Sequence, residues 1–368
     1  MGRATMEGVA LMIHLNNQHF NRIAGRLLVC TAICVTGCIG LTRSANAQEQ
    51  PARQERKVIV VLGAAGDAQY GQQFETWVQG LKEVVGSSTA ENPNLKLVQV
   101  GGEPANVDQE DGKEQDQTDL VRLEKEIEQA VDQTHELWIV LIGHGTDDGK
   151  NSKFNLRGPD LTAKQLNDWL TPLPCRCVIV NCASASGSFI NKLKSDNRIV
   201  VTATKSSAQY NFARFGEHFL QAIGDPAFDL DKDQQISLLE AFVAGSKRTQ
   251  EFYVQEGRLA TEMAVIDDNG DGLGTPADWF EGTRVVRRSK KGQPDGLAAN
   301  QVFLIRRGAE AKLSVQQRQT RDELEAKLES IRARRDAFDE DAFYRELEPV
   351  LIELAKIYRT TESSSGSR

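Results

Sequence analysis

The segment Leu137-Trp138-Ile139-Val140-Leu141-Ile142-Gly143-His144-Gly145 decides the fold class of this chain. Its first six residues are all apolar, which is typical of a β-strand buried on both faces. The run ends directly in Gly143-His144-Gly145, so a titratable side chain stands where the strand stops. Strands of this kind occur in parallel sheets covered by helices, and such sheets carry their sites at the carboxyl ends of the strands.

Other apolar runs repeat this pattern on both sides of the segment, and helical periodicity fills the intervals between them. Strands that alternate with helices predict an α/β domain with a mostly parallel central sheet, covered on both faces as a three-layer sandwich. We place this domain at residues 57–290, after a linker at 48–56. The further strand candidates are Val58 to Leu62, Leu95 to Val100, Cys177 to Val180 and Arg198 to Ala203.

The C-terminal region changes from this alternation to two helical stripes. Ser314 and Gln317 form a capping-box pattern that opens the first helix. The two stripes predict an α-helical hairpin over residues 314–359, preceded by a connecting segment at 291–313 and followed by a disordered tail at 360–368. The hairpin is expected to pack on the main domain or to bind a partner. Its apolar positions are Leu324, Leu328 and Ile331, then Phe343, Leu347, Leu351 and Leu354.

The first 47 residues have the pattern of a signal peptide. Arg22 and Arg26 precede an apolar run that is short for a membrane span, and Ala45-Asn46-Ala47 supplies a small-residue cleavage site. We therefore expect export to the periplasm or the extracellular space, with no membrane span in the mature chain. Two alternatives stay open, a permanently anchored helix and a lipoprotein anchored at Cys38.

Composition narrows the class of partner. The formal net charge of −8 argues against a nucleic-acid partner, because a domain that neutralises phosphates is normally basic. Cys175, Cys177 and Cys182 are the cysteines of the expected mature chain. An odd, clustered set of this kind is a poor disulfide framework, so we expect small buried residues around one strand.

His144 and the segment that follows the next strand are the candidates for chemistry. The flanking glycines allow close backbone approach, and the N–H of Gly145 could face a developing oxyanion. The segment 181–188 is rich in small residues and contains Ser184, at the end of the adjacent strand. A base on one strand end and a nucleophile on the next is a layout for covalent acyl transfer. The alternative is a small-residue turn with a helix cap.

An apolar strand followed by His-Gly, and then a second apolar strand followed by a nucleophile turn, resembles the legumain family and, more broadly, the caspase-like clan of cysteine peptidases. The resemblance runs from about Val58 to Ala244. It implies a caspase-like three-layer sandwich and a peptidase or amidase activity on peptides or proteins.

This chain departs from that family's pattern at two catalytic positions, which raises the question whether it is an active peptidase. Alignment on Ser186-Gly187-Ser188 puts Ser184 at the position of the catalytic cysteine, and Ala65 at the position of the asparagine that orients the histidine. The resemblance thus implies Ser184 as nucleophile, His144 as base, and the amides of Gly145 and Ser184 as the oxyanion hole. Cys182 is a less favoured nucleophile.

Two functions remain open at this point. One is an impaired or serine-variant peptidase that acts on peptides or binds them. The other is a non-catalytic, calcium-binding scaffold or peptide-recognition module.

Residues 229–240 resemble a calcium loop of the EF-hand type. Oxygen-bearing residues occupy the first, third, fifth, seventh, ninth and twelfth positions, and the seventh would use its backbone carbonyl. Gln234 stands where glycine is usual, which weakens the expected affinity. The alternative is an acidic loop before a helix. The expected Ca²⁺ ligands are Asp229, Asp231, Asp233, Gln235, Ser237 and Glu240.

A second acidic loop at residues 267–278 offers Asp267, Asn269 and Asp271. It has the glycine that the first loop lacks, but its twelfth position is Asp278 and no apolar residue occupies its eighth. A calcium site and a plain Asn-Gly and Asp-Gly turn both fit this pattern.

Overall fold

The computed structural model describes residues 55–102, 118–287 and 294–363. The predicted signal peptide, Cys38 and most of the linker at 48–56 lie outside the described residues. In the described part of the chain, no helix is both long and apolar enough to cross a membrane.

Strands and helices alternate through most of the described chain. The strands are β1 (Glu55–Leu62), β2 (Leu95–Gly101), β3 (Thr134–Ile142), β4 (Gly145–Asp147), β5 (Ser152–Phe154), β6 (Leu161–Thr162), β7 (Arg176–Asn181), β8 (Arg198–Thr202), β9 (Val265–Asp267), β10 (Thr275–Pro276), β11 (Phe280–Glu281) and β12 (Arg284–Val285). The helices are α1 (Ala68–Ser87), α2 (Asp119–Glu128), α3 (Ala130–Gln133), α4 (Ala163–Leu170), α5 (Ser188–Leu193), α6 (Phe215–Ala222), α7 (Leu238–Gln255), α8 (Leu297–Asn300), α9 (Gly308–Lys312), α10 (Val315–Ala333) and α11 (Glu340–Ser363).

The central sheet has seven strands in the order β2-β1-β3-β7-β8-β9-β10. The first five are mutually parallel, and β9 and β10 complete the sheet in antiparallel pairings. The register aligns Leu62 with Ile142, Leu141 with Asn181, and Asn181 with Thr202. The segments that leave β1, β3, β7 and β8 therefore meet at one edge of the sheet.

Alternate side chains of the central strands pack into two separate cores, one on each face of the sheet. Val58 and Trp138 belong to the core formed with α1, α6 and α7, whereas Ile59 and Ile139 belong to the core formed with α2, α4 and α5. Because both faces are covered, the strands need no polar face, which is why they read as continuous apolar runs. The predicted α/β three-layer sandwich with a mostly parallel sheet is confirmed.

The C-terminal helices α10 and α11 form the predicted hairpin around a small core of their own, centred on Leu328, Ile331 and Val350. Ser314 and Gln317 make the predicted capping box at the start of α10. Helix α11 runs to Ser363, so it includes four residues that the sequence assigned to a disordered tail. No glycine or proline stands at 360–363 to end it.

Two predicted boundaries differ from the structure. Strand β1 begins at Glu55, so two residues of the expected linker pair with the sheet. The described part of the expected connecting segment, residues 294–313, contains the short helices α8 and α9. Val302, Leu304 and Ile305 are buried in the same core as α7, because apolar side chains gain free energy when they are removed from water.

Two helical glycines provide a matched test of helix packing. A Cβ atom on Gly245 in α7 would lie 2.8 Å from the Cα and 2.9 Å from the N of Phe219 in α6, whereas one on Gly80 in α1 would meet nothing within 4 Å. We predict that Gly245→Ala lowers the free energy of unfolding by about 1–3 kcal/mol, because the helices must separate. Gly80→Ala should raise it by about 0.5–1 kcal/mol through helix propensity. Urea denaturation measures both, and equal effects at the two sites would contradict the close approach.

Candidate active site

The functional residues predicted from sequence lie at the carboxyl edge of the sheet. Ala65 follows β1, His144 follows β3, and Ser184 follows β7. Because β3 pairs with β1 on one side and β7 on the other, the three segments are brought side by side.

The imidazole of His144 is half-buried and held by one hydrogen bond. Its Nε2 lies 3.2 Å from the carbonyl oxygen of Ala65. A carbonyl oxygen can only accept, so Nε2 carries the proton and Nδ1 is left as the basic nitrogen. This interaction fixes the tautomer that a general base needs.

Three aromatic rings surround this imidazole. Tyr70, Phe74 and Phe212 contact it edge to face, with ring centroids 5.0, 5.4 and 5.9 Å away. Burial among them lowers the pKa of His144 below its ordinary value of 6.5, although the bond to Ala65 acts in the opposite direction. The histidine is therefore neutral at pH 7.

The backbone carbonyl of Ala65 has a role that the sequence did not predict for this residue. The family resemblance implies that the group orienting the histidine is lost there, because alanine has no polar side chain. In the structure the backbone of the same residue orients the ring instead. Sequence alignment compares side chains and therefore misses a role that a peptide carbonyl fills.

The hydroxyl of Ser184 is directed at the backbone of Gly145. Its Oγ accepts a hydrogen bond from the Gly145 N–H at 3.3 Å and can donate to the Gly145 carbonyl at 3.3 Å. The residue is only 3% exposed. Among the described residues, Ser184 makes no hydrogen bond to His144. The amide expected to face an oxyanion is thus occupied by the hydroxyl.

Close backbone contacts explain the small residues of this turn. A Cβ on Gly145 would lie 2.2 Å from the carbonyl oxygen of Ser184, and one on Gly187 would lie 2.2 Å from the N of Ser206. Ala185 has a φ of 52°, in the left-handed region, and its N–H donates to Gln209 at 2.8 Å. The turn holds the strand-end segments together, which accounts for its composition without chemistry.

Cys182 lies in the hydrophobic core rather than in the crevice. It is 1% exposed, and a Cβ on Gly216 of α6 would lie 2.7 Å from the Cβ of Cys182. Burial raises the pKa of its thiol far above the ordinary range. A thiolate is the reactive form of cysteine, so this environment is that of an inert packing residue.

The first acidic loop brings three of its predicted ligands together. One carboxylate oxygen from each of Asp229, Asp231 and Asp233 lies within 4.8 Å of the others. Lys232 and Gln234 have φ values of 64° and 71°. The left-handed conformation expected at the glycine position is therefore adopted by glutamine.

The side chains of the remaining predicted ligands of this loop make hydrogen bonds within the protein. Glu240 accepts hydrogen bonds from the N–H groups of Leu230 and Ser237 at 2.6 and 2.8 Å, and it completes the capping box of α7. Gln235 exchanges hydrogen bonds with the backbone of Arg307 through its side chain. The hydroxyl of Ser237 donates to Glu240 at 3.0 Å.

The second acidic loop folds as a series of side-chain-to-backbone turns. Asp267 accepts from the N–H groups of Gly270 and Gly272 at 2.9 and 2.8 Å, and Asn269 accepts from Asp271 at 3.0 Å. Burial raises the pKa of Asp267. In the described chain, the carboxylates of this loop do not form a cluster of the kind found at Asp229, Asp231 and Asp233. The geometry is that of an Asx-rich turn.

The sequence reading missed the aromatic surroundings of His144. Tyr70 and Phe212 stack on each other with centroids 4.7 Å apart, yet they lie far apart in sequence. Tyr70 and Phe74 stand four residues apart at the start of α1, after β1, and Phe212 follows β8, so the shared edge of the parallel sheet was the signal that could have placed them near His144.

We predict that His144 titrates below pH 6.5 in the folded chain, and that Tyr70→Ala moves its pKa upward because water gains access to the ring. NMR titration of the imidazole signals, assigned with His144→Gln, measures the shift. A folded pKa below the unfolded value means that this stabilising contribution is present above about pH 6.5 and is lost as the pH falls below it. Tyr210→Ala, at a 76% exposed ring, is the control and should change nothing.

No protein-family model and no curated protein matches this sequence. Among solved structures, the chain is similar to the crystal structure of the Drosophila initiator caspase Dronc, with 14% sequence identity and a TM-score of 0.37. The match covers 68% of this chain and 94% of that chain. A likeness at this level carries no conclusion about site residues or activity, so the fold assignment rests on the strand order and the two cores of the chain itself.

Proposed function

We propose that this chain is an exported protein of the caspase–legumain type that binds peptides beside His144 and hydrolyses them inefficiently or not at all. One observation carries the proposal, the hydrogen bonding of the Ser184 hydroxyl to the backbone of Gly145 instead of the imidazole. The expectation of export comes from the signal-peptide pattern at residues 1–47.

The chemistry of serine makes this arrangement unfavourable for catalysis. A hydroxyl must lose its proton as it attacks, so it needs a base within hydrogen-bonding reach. Turning Ser184 towards His144 would break its contacts with Gly145, and each such hydrogen bond contributes about 0.5–1.5 kcal/mol. Catalytic hydrogen bonds often tighten only when substrate is bound, so slow serine hydrolysis is the residual activity that fits this site.

The segment after β8 supports binding of an extended peptide. The N–H groups of residues 210–213 make no hydrogen bond to the other described residues. Ala213 is only 4% exposed, so leaving its N–H without a partner is costly. An extended peptide can add to such a backbone edge while its side chains contact nearby pockets. Phe212 and Tyr70 provide an aromatic surface at this edge.

A single assay with fluorescein-labelled casein, an unfolded polypeptide, separates the alternatives. We predict that fluorescence polarisation rises on binding while gel electrophoresis shows no fragments, and that Ser184→Ala changes neither result. Phe212→Ala should weaken binding about tenfold, because it removes part of the aromatic surface. Val254→Ala, at a 78% exposed residue of α7, is the matched control.

Three outcomes would contradict the proposal. Fragmentation that disappears in Ser184→Ala would identify an efficient serine peptidase. Failure of the wild-type chain to bind casein would remove the peptide-binding function. Fragmentation blocked by alkylation of Cys182 would revive the thiol as nucleophile.

We propose in addition that the loop at residues 229–240 binds Ca²⁺. Three carboxylates converge within 4.8 Å of one another, the Lys232 ammonium bonds the backbone carbonyl of Asp229 rather than a carboxylate, and oxygen ligands of this kind suit a hard divalent cation. The loop joins α6 to α7, so the ion would stabilise the end of the domain rather than take part in bond cleavage. The loop at residues 267–278 is a weaker candidate because its carboxylates form no comparable cluster in the described structure.

We predict that millimolar CaCl₂ raises the midpoint of thermal unfolding and that Asp231→Asn removes most of this shift, since one charged ligand is lost. Asp336→Asn, at an exposed carboxylate far along the chain, is the control for charge. Differential scanning fluorimetry with CaCl₂ and with NaCl of equal ionic strength measures the effect. An equal shift in the wild type and in Asp231→Asn would exclude this loop as the site.

Binding of a partner by the C-terminal hairpin stays a prediction.

A further inference from the structure

A second polar site lies at the opposite edge of the sheet from His144. A cavity of about 340 Å³ is bounded by the beginnings of β3 and β7 and by α10. Strand β3 has nine residues, so roughly 25 Å of strand separates the two sites at about 3.3 Å per residue. The cavity is therefore independent of the crevice in which we place peptide binding.

Positive charge exceeds negative charge among the residues that line this cavity. Four are arginines and two are carboxylates, so the excess is two positive charges. The arginines are Arg176, Arg306, Arg318 and Arg321, and the carboxylates are Glu136 and Asp322.

Ion pairing leaves part of this positive charge unmatched. Arg306 pairs with Glu136 at 3.2 Å, and Arg321 pairs with Glu310 at 2.7 Å, with Asp322 at 2.5 Å and with Glu325 at 4.0 Å. Arg176 shares Asp322 at 3.6 Å. Arg318 has no carboxylate within 4 Å in the described chain, and its guanidinium donates to the carbonyl of Leu313.

Arg56, outside the lining, shares Glu136 with Arg306 at 4.0 Å, and its guanidinium donates to the carbonyls of Phe303 and Leu304 and to the side chain of Asn92. With Arg56, Glu310 and Glu325 counted beside the lining residues, five guanidinium groups face four carboxylates, and Arg318 is the one without an ion-pair partner in the described chain.

Several buried polar atoms of the lining have no partner. The hydroxyl of Thr134, a residue that is 1% exposed, and the Nε of Arg306, a residue that is 8% exposed, make no hydrogen bond in the described structure. Both ring nitrogens of His135 are likewise unpaired. Leaving such groups without partners costs about 1–3 kcal/mol each, so the cavity is suited to a ligand that accepts hydrogen bonds.

The titration behaviour of the cluster is consistent with an excess of positive charge. Burial, followed by repulsion from Arg306, lowers the pKa of Arg318 to about 10 and that of Arg56 to about 9. Burial alone would raise the pKa of Glu136, yet Arg306 and Arg56 lower it to about 2. Water in the cavity would satisfy the donors but would not neutralise the charge.

We propose that this cavity binds a phosphate group, either as inorganic phosphate or on a small monoester. Arginine binds phosphate oxygens with paired N–H donors. The hydroxyl of Thr134 and the Nε of Arg306 have no partner in the described structure and can donate to the remaining oxygens. The volume lies at the lower end of the range for small-molecule pockets. The ligand would bridge Thr134 of the sheet and Arg318 of α10, and so fasten the hairpin to the α/β domain.

Isothermal titration calorimetry of the full chain tests the site, with inorganic phosphate and glycerol 3-phosphate as probes at constant ionic strength set with NaCl. We expect binding that weakens at least tenfold in Arg318→Gln. Gln319→Glu, at an exposed position of the lining, should also weaken it, because a negative charge is added without disturbing the fold. Arg332→Gln, on the same helix but outside the cavity, should bind like the wild type.

The results separate the sources of the phosphate group. Tighter binding of glycerol 3-phosphate identifies an organic monoester, and equal or tighter binding of phosphate identifies the free ion. Absence of binding beyond the effect of NaCl overturns the proposal. Equal affinity in the wild type, Arg318→Gln and Gln319→Glu also overturns it, since the anion would then bind elsewhere.

Discussion

The parallel pairing of β3 with β1 and β7 is the constraint on which the rest of the molecule depends. It aligns Leu62 with Ile142 and Leu141 with Asn181, so the chain leaves all three strands at one edge. The central strands can hold this register because both faces are buried under helices. A shift of one residue would exchange Ile139 and Val140 between the two cores and would also separate Ala65, His144 and Ser184.

Buried polar groups find their hydrogen-bond partners in different ways at the two edges of this sheet. At the carboxyl edge, small residues let backbones approach, and a peptide carbonyl and a peptide N–H hold the polar side chains. At the opposite edge, the long side chains of Arg56 and Arg306 converge on Glu136, which is buried. The first arrangement is compact and leaves little freedom for a nucleophile, whereas the second keeps a cavity with spare donors.

The crevice brings an imidazole and a hydroxyl to one edge of the sheet without a hydrogen bond between them in the described structure. The tautomer of His144 is set by Ala65, and the ring is neutral at pH 7 because burial lowers its pKa. Ser184 is bound to the Gly145 backbone on both its donor and acceptor sides. A base and a hydroxyl are therefore each well held, but not by each other. The backbone at residues 210–213, which pairs with no other described residue, is what supports the proposed peptide recognition.

The sequence by itself determined the α/β class, the strand positions and the C-terminal hairpin. These follow from local periodicity and from capping residues such as Ser314, which act over a few positions. It also indicated His144 and Ser184 as neighbours, since the carboxyl ends of parallel strands share one edge. Only the tertiary structure decided what those side chains contact, because the carbonyl of Ala65, the ring of Phe212 and the backbone of Gly145 come from distant segments. The arginine cluster was likewise invisible in sequence, since Arg56, Arg306 and Arg318 converge only when α10 packs beside the start of β3.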